Sequence, residues 1–284
     1  MPSSVEELVD LLDLEVIEDN LFRGRQPDTQ MQRVFGGQVL AQSLVAAVRT
    51  VSEPFVCHSL HSYFLRPGDT KVPIIYDVEA IRDGRSFRTR RVAARQHGRP
   101  IFFLTANFQV PEVGLEHQDR MPDVPSPEEC VPGVSPDPRR NEEWLREWAA
   151  LDVRPVADSR EGGRLDSTDH PARSQWWIRA SAELPDDSLT QLAAFTYASD
   201  MTLLPAALVP HNLFIGSPGM QAASLDHSIW FHRPFRADQW WLYDQVSPSA
   251  SGGRGLALAR VFSQDGQLVA SVAQEGLIRI RGTK

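Results

Sequence analysis

Cysteine is scarce. The 284-residue chain has two, Cys57 and Cys130, which excludes a disulfide framework and a cysteine-rich zinc site. Basic charge is not in excess. Lys and Arg total 29 against 37 Asp and Glu, a net charge of −8. That argues against a general nucleic-acid role, although a local Arg cluster can still meet a phosphate-bearing ligand. No run approaches the roughly 18 apolar residues of a membrane span, so membrane insertion is not expected. The start, Met1-Pro2-Ser3-Ser4-Val5-Glu6-Glu7, is acidic and lacks the basic stretch and apolar run of a signal peptide. The end, Arg281-Gly282-Thr283-Lys284, carries no Ser-Lys-Leu type address. A cytoplasmic location is the expectation. There is no Gly-x-Ser-x-Gly elbow and no Walker loop, and Gly253-Arg254-Gly255 does not continue as a dinucleotide fingerprint.

What the chain does have is the makings of a core. Hydrophobic residues make up 42% and charged residues 23%, with seven Trp and thirteen Phe, the balance of a folded globular chain. Its length suits one large domain or two of ordinary size. Ser3-Ser4-Val5-Glu6-Glu7 reads as a helix start, with Leu8, Leu11 and Leu12 at helical spacing. Residues 14–22 alternate loosely as a strand. Gly36-Gly37 opens a helix over 38–49, whose Val39, Leu40, Leu44, Val45 and Val48 are spaced for burial. Strand-like runs at 58–65, 71–83, 86–97 and 100–110 are bounded by Pro or Gly, as at Arg66-Pro67-Gly68-Asp69. Residues 111 to about 140 carry seven Pro and read as a surface connector. A short helix over 141–150 and strands over 151–156 and 175–184 follow. Ser247 to Gly255, with its Ser, Gly and Arg254, reads as a hairpin connection or as a flexible loop able to touch a phosphate.

The same pattern occurs twice. Tyr63-Phe64-Leu65-Arg66-Pro67 recurs as Trp230-Phe231-His232-Arg233-Pro234, Gly84-Arg85 as Gly253-Arg254, Arg91-Val92 as Arg260-Val261, and Gln96-His97-Gly98 as Gln264-Asp265-Gly266, all at offsets of 167 to 169 residues. Four matches in one order at one offset indicate duplication. The chain therefore reads as an α+β protein made of two helix-on-antiparallel-sheet repeats, joined edge to edge so that two strand edges are covered. The expected division is 1–112 for the first repeat, 113–150 for the Pro-rich connector and short helix, and 151–284 for the second repeat.

Several of these segments form family motifs. Phe35-Gly36-Gly37-Gln38, the run from His58 to Asp69, and Asp83-Gly84-Arg85-Ser86-Phe87 resemble the first half of type II acyl-CoA thioesterases, the TesB-like proteins. Tyr197-Ala198-Ser199-Asp200, the run from Asp226 to Pro234, and Gln274-Glu275-Gly276 resemble the second half. The resemblance covers nearly the whole chain except the connector. It implies a double hotdog fold and hydrolysis of acyl-CoA, with no metal or organic cofactor, in a homodimer or homotetramer. It also implies that Asp200, Ser224 and Gln274, in the second repeat, position the hydrolytic water, Ser224 standing where many relatives have Thr.

These residue types suit that reaction. A carboxylate can take a proton from attacking water, while a Gln amide and a hydroxyl each offer a donor and an acceptor. Out of context each has a plainer reading: Asp200 as a cap or paired carboxylate before Pro205, Ser224 as a turn or strand residue, and Gln274 as a core Gln ending the apolar row Leu268, Ala270, Val272. At the repeat offset, Asp200 falls opposite Gln32 or Arg33, Ser224 opposite Cys57 or a residue near it, and Gln274 opposite Ala106, so one site per chain is expected. Gly36 and Gly37 allow close approach to a ligand at a helix start, and His58 and Arg254 are further candidates for substrate contact. A Cys57–His58 nucleophile is the rival, against a structural role for His58. His58 and His61, three apart in a strand, should face apart, and so should His227 and Ser224. Two other functions remain open: a non-catalytic acyl-CoA sensor, and a hydratase, which would want an Asp and a His together, whereas no His follows Asp200 at four or five residues.

Overall fold

The computed structural model describes residues 1–133 and 138–281. Helix α1 (Val5–Leu12) is capped by Ser4, whose hydroxyl accepts the Glu7 N–H, and buries Val5, Leu8, Leu11 and Leu12. The segment 14–22 is a hairpin rather than one strand. It consists of β1 (Glu15–Glu18) and β2 (Leu21–Gly24), turned at Asn20 with φ 60°, a left-handed conformation that Asn tolerates. Helix α2 (Gly36–Val48) buries every residue from Gly37 to Ala47. Four long strands follow: β3 (Val56–Phe64), β4 (Ile74–Asp83), β5 (Phe87–Gln96) and β6 (Arg99–Gln109). The second half has α3 (Pro138–Glu147), β7 (Leu151–Asp158), β8 (Arg173–Ala180) and α4 (Ser188–Ser199). After a 3-10 segment over Leu204–His211 come β9 (Met220–Ser224), β10 (Asp226–Phe231), β11 (Trp241–Ser251), β12 (Arg254–Ser263) and β13 (Leu268–Ile280).

All these strands form one antiparallel sheet in the order β1-β2-β4-β5-β6-β3-β10-β13-β12-β11-β8-β7, with β9 beside β13. The order β2-β4-β5-β6-β3 is repeated, reversed, as β10-β13-β12-β11-β8. The halves meet where β3 pairs with β10. At the centre of this seam His61 faces Ser228, with Nδ1 3.1 Å from Oγ. The two are 167 residues apart, the repeat offset itself, so an approximate two-fold axis passes between them. Helices α2 and α4 pack together inside the curved sheet and share one core cluster with strands of both halves. This is the double hotdog arrangement that the resemblance implies, and it agrees with the two helix-on-sheet repeats read from the duplication.

The connector is more than a surface strap. Residues facing away from the helices on the second half of the sheet, Trp177, Leu242 and Phe262, are buried in a second cluster with Cys130, Val156 and Trp240, against which Met121 and Val124 of the connector pack. The Trp177 indole N–H donates to the Pro125 carbonyl at 2.8 Å. Large apolar side chains on an outer face need a cover, and the Pro-rich chain provides it. The run Ser188–His211 also departs from expectation, being long and apolar enough to cross a membrane by composition. Of its most apolar window, 78% is buried inside the fold, so its apolarity is that of a core helix. The turn Gly252-Gly253, with φ of 57° and 73°, joins β11 to β12 as a tight hairpin, the geometry that two left-handed residues give.

The approach of α2 to α4 depends on glycine. A Cβ on Gly37 would sit 2.2 Å from the Tyr197 carbonyl oxygen, backbone that cannot swing aside. Gly37→Ala should therefore lower stability by about 1–3 kcal/mol, the usual cost of overpacking. Gly114→Ala, where an added Cβ meets nothing within 4 Å, should leave the urea midpoint unchanged. Equal midpoints for the two variants would show that the helices are not held this closely.

Candidate active site

Helix α4 ends at Asp200, its C-cap, with φ −83° and ψ −5°. Ser224 is the last residue of β9. Gln274 lies in β13, where Ala270, Val272, Gln274 and Gly276 alternate onto the buried face toward the helices. Leu268 does not share that face. A register shift between Val261 and Phe262 turns it onto the outer cluster with Phe262. The three polar side chains converge although they come from three elements. Ser224 Oγ donates to Asp200 Oδ1 at 3.2 Å, Gln274 Nε2 donates to Ser224 Oγ at 3.0 Å, and Gln274 Nε2 also donates to Asp200 Oδ1.

The fourth partner comes from the other repeat. The backbone N–H of Gly37, at the start of α2, is turned toward the Asp200 carboxylate and lowers its pKa. A Cβ on Gly36 would stand 2.3 Å from Asp200 Oδ2, so both glycines shape the carboxylate's seat. The Asp200 side chain is 4% exposed. Burial pushes its pKa up to about 6, against the lowering effect of the bonds from Gln274, Ser224 and Gly37. Gln274 Oε1 is buried and has no hydrogen-bond partner among the described residues. A carboxylate, a hydroxyl and an amide in mutual contact can orient a water and take its proton.

His58, Cys57 and Arg254 are not brought into this cluster. The His58 ring lies against Phe87, centroids 6.1 Å apart. Cys57 Sγ lies 3.6 Å from the Ser59 carbonyl oxygen, and burial pushes its pKa up to about 12, which disfavours a thiolate. Arg254 pairs with Glu275 at 3.0 Å. Glu275 adjoins Gln274 in β13, so this pair faces the other side of the sheet. Two surface cavities, of about 400 and 700 Å³, also lie elsewhere, one beside Met1, Arg25 and Asp28, the other beside Trp230, Leu258 and Arg260.

Sequence alternation fails at one point, and it conceals His227. Ser224 pairs with Gly276, but Ser228 pairs with Ala273, so β9 and β10 contain one residue more than β13 between these positions. This bulge at Leu225 reverses the alternation and brings His227 to the side of Ser224. His227 Nδ1 stands 3.7 Å from Asp200 Oδ1, with its side chain fully buried. An Asp and a His are therefore neighbours in space although none follows Asp200 closely in sequence. The equivalent bulge in β3 falls at His58, between Cys57 and Ser59, so spacing does not assign a face to that residue.

The repeat equivalence of Asp200 also needs correcting. Arg49 is the C-cap of α2 as Asp200 is of α4, so Arg49, not Gln32 or Arg33, is its counterpart. The constant offset breaks because the second half places the 3-10 segment Leu204–His211 between helix and strand. Arg49 pairs with Asp13 and donates to the Leu14 carbonyl. With Cys57 and Ala106 at the other two positions, the first half lacks the polar set.

The profile of the acyl-CoA thioesterase family matches residues 151–277, and that of the acyl-CoA thioesterase N-terminal domain matches residues 25–109. The chain is 43% identical over 290 residues to acyl-CoA thioesterase 2 of Haemophilus influenzae, covering 98% of this chain and 99% of that one. It is 40% identical to human acyl-coenzyme A thioesterase 8, over 95% of this chain and 88% of that one. The crystal structure of acyl-CoA thioesterase II TesB2 from Mycobacterium marinum superposes with a TM-score of 0.84 at 45% identity, covering 98% and 99% of the two chains. A protein from Alicyclobacillus acidocaldarius described as having a hot dog fold, 22% identical with a TM-score of 0.78, is alike in fold alone. Identity of this level along nearly the whole chain means that it belongs to the TesB-like, type II acyl-CoA thioesterase family and is a thioester hydrolase.

Proposed function

We propose that the chain hydrolyses fatty acyl-CoA to free fatty acid and CoA by direct attack of water, with Asp200 as general base and Ser224 and Gln274 holding the water. The observation that carries this reading is the convergence of those three side chains on one another from α4, β9 and β13. The acyl-CoA substrate comes from the names of the Haemophilus influenzae and human relatives.

Asp200 takes one proton as the water oxygen bonds to the thioester carbonyl carbon. The tetrahedral intermediate then collapses with cleavage of the C–S bond. The departing sulfur receives the proton from Asp200, which returns to carboxylate. Ser224 and Gln274 fix the geometry of attack, which lowers the barrier by orientation rather than by covalent chemistry. The start of α2, with its positive dipole end, favours the negative charge that develops on the carbonyl oxygen.

A thiol-trapping assay over a panel of acyl-CoA chain lengths should register free CoA from at least one member. Tight acyl-CoA binding with no release from any would leave a sensor in place of an enzyme. Asp200→Asn should lower kcat on the order of 10²-fold or more with little change in KM, and Ser224→Ala should cost less. Wild-type kcat of Asp200→Asn would remove the general base.

The raised pKa of Asp200 yields a second expectation. In the unfolded chain the carboxyl ionises near its ordinary value of 3.8, whereas in the fold it holds its proton to about 6. Activity should therefore rise with pH through about 6 as the carboxylate forms. Stability moves the other way. The folded state binds the proton more tightly, so the wild type loses stability as pH rises from 3.8 to about 6. Between pH 4 and pH 8 the unfolding free energy of Asp200→Asn should gain on wild type by on the order of 2 kcal/mol. Parallel denaturation curves at the two pH values measure it, and a constant difference would place Asp200 in a more solvated setting.

A further inference from the structure

His227 is a buried titratable group beside Asp200 that the mechanism above leaves unused. Its Nε2 lies 3.0 Å from Ser199 Oγ, and Ser199 Oγ donates to the Thr196 carbonyl at 2.8 Å. A hydroxyl has one proton to give. With that proton directed at Thr196, Ser199 can only accept from the ring, so Nε2 carries the imidazole hydrogen. Nδ1 keeps its bare lone pair, has no hydrogen-bond partner among the described residues, and faces Asp200 Oδ1 at 3.7 Å. Burial holds the ring neutral, with its pKa lowered to about 3. The strand that carries it is pinned from the first repeat, where Ser62 Oγ donates to the His227 carbonyl at 2.7 Å.

The other partners of Asp200 are all donors: the Gly37 N–H from α2, the Ser224 hydroxyl from β9 and the Gln274 Nε2 from β13. They favour the carboxylate; among them only Ser224 Oγ has lone pairs to offer the conjugate acid, and it already accepts from Gln274 Nε2 at 3.0 Å. Tyr243 of β11, whose own ionisation the Asp200 charge opposes, gives its hydroxyl proton to the Ser199 carbonyl at 2.9 Å. A base that has just taken a proton is an acid whose O–H must find an acceptor in a site closed to solvent. Gln274 Oε1 also lacks a partner, but it is the far end of an amide whose nitrogen is turned toward Asp200.

We propose that His227 is a positioning residue for Asp200, its neutral Nδ1 accepting the hydrogen bond of the protonated carboxyl formed during turnover. The proton stays on the Asp200 oxygen until it passes to the leaving sulfur, so the ring never becomes charged. Loss of Nδ1 removes the partner of the protonated form and also the lone pair facing the carboxylate. Both effects lower the pKa of Asp200 and weaken it as a base. This inference rests on the reading of Asp200 as general base.

The experiment is the pH dependence of kcat and KM for the full-length chain as wild type, His227→Leu, His227→Asn and Asp200→Asn. In His227→Leu the acid limb should move about one pH unit lower and kcat should fall about tenfold, with KM nearly unchanged. His227→Asn, whose side-chain oxygen can stand near the place of Nδ1, should return the limb toward wild type. Ser199→Ala frees the tautomer and lets Nδ1–H donate to the carboxylate, so its limb should also move lower. That variant carries the test if His227→Leu does not fold. An unmoved limb in His227→Leu, or in Ser199→Ala where the former is unfolded, alongside an inactive Asp200→Asn overturns this role and leaves the base intact. An active Asp200→Asn overturns the base itself.

Discussion

The start of one buried helix touches the end of another. At that point the N–H of Gly37 meets the carboxylate of Asp200, and two residues without side chains let the backbones come this close. Opposite helix poles attract, so the contact suits an antiparallel pair. It also settles where a site can form. The sheet has to curve around both helices, its two halves have to meet along β3 and β10, and the strands beside that seam then pass the junction of the helix ends. Ser224 and His227, on either side of one bulge, and Gln274, on the neighbouring strand, reach Asp200 from two adjacent crossings of one surface.

The architecture was largely legible because it is written twice. Recurrence of the Arg-Pro turn and of the Gly-Arg pair at one offset indicated two units, and the strand-like runs bounded by Pro or Gly in the first half, with the apolar row ending at Gln274 in the second, placed strands after each turn. The polar ending of the row Ala270, Val272, Gln274 marked a buried amide. What stayed hidden depends on single residues that change the count. One extra residue at Leu225 exchanges the faces of everything before it, so the adjacency of Ser224 and His227 could not be read from alternation. The span 200–219 lengthens the path from helix to strand in one copy and hides the correspondence of Asp200 with Arg49. The hairpin at Asn20 and the turn of Leu268 onto the outer face are local in the same sense. Proline content likewise suggested only a surface connector, because composition does not reveal that Trp177, Leu242 and Phe262 require a cover.

The chemistry of the site follows from competition between burial and donors. Taking a carboxylate out of water favours its protonated form, and three hydrogen-bond donors oppose that. Neither effect wins completely, and the group is left able to give and take a proton near neutrality. Such a balance is costly to the fold, and the surrounding core of both repeats sustains it. The imidazole opposite shares this solvent-free setting but responds in the other direction, remaining uncharged.

The seam through His61 and Ser228 has a consequence for inheritance. Where two identical chains associate about such an axis, any substitution appears on both sides at once, and a change that suits one surface must be tolerated by its mirror image. Here the two sides are encoded separately. Cys57 can stand opposite Ser224, Ala106 opposite Gln274, and Arg49 opposite Asp200 without either member restraining the other. One copy is free to lose its polar set and become scaffold, and its helix start can specialise in seating a carboxylate that belongs to its sibling. Linkage in one polypeptide also keeps each specialised half beside its complement, which a mixture of separate chains would achieve only by sorting.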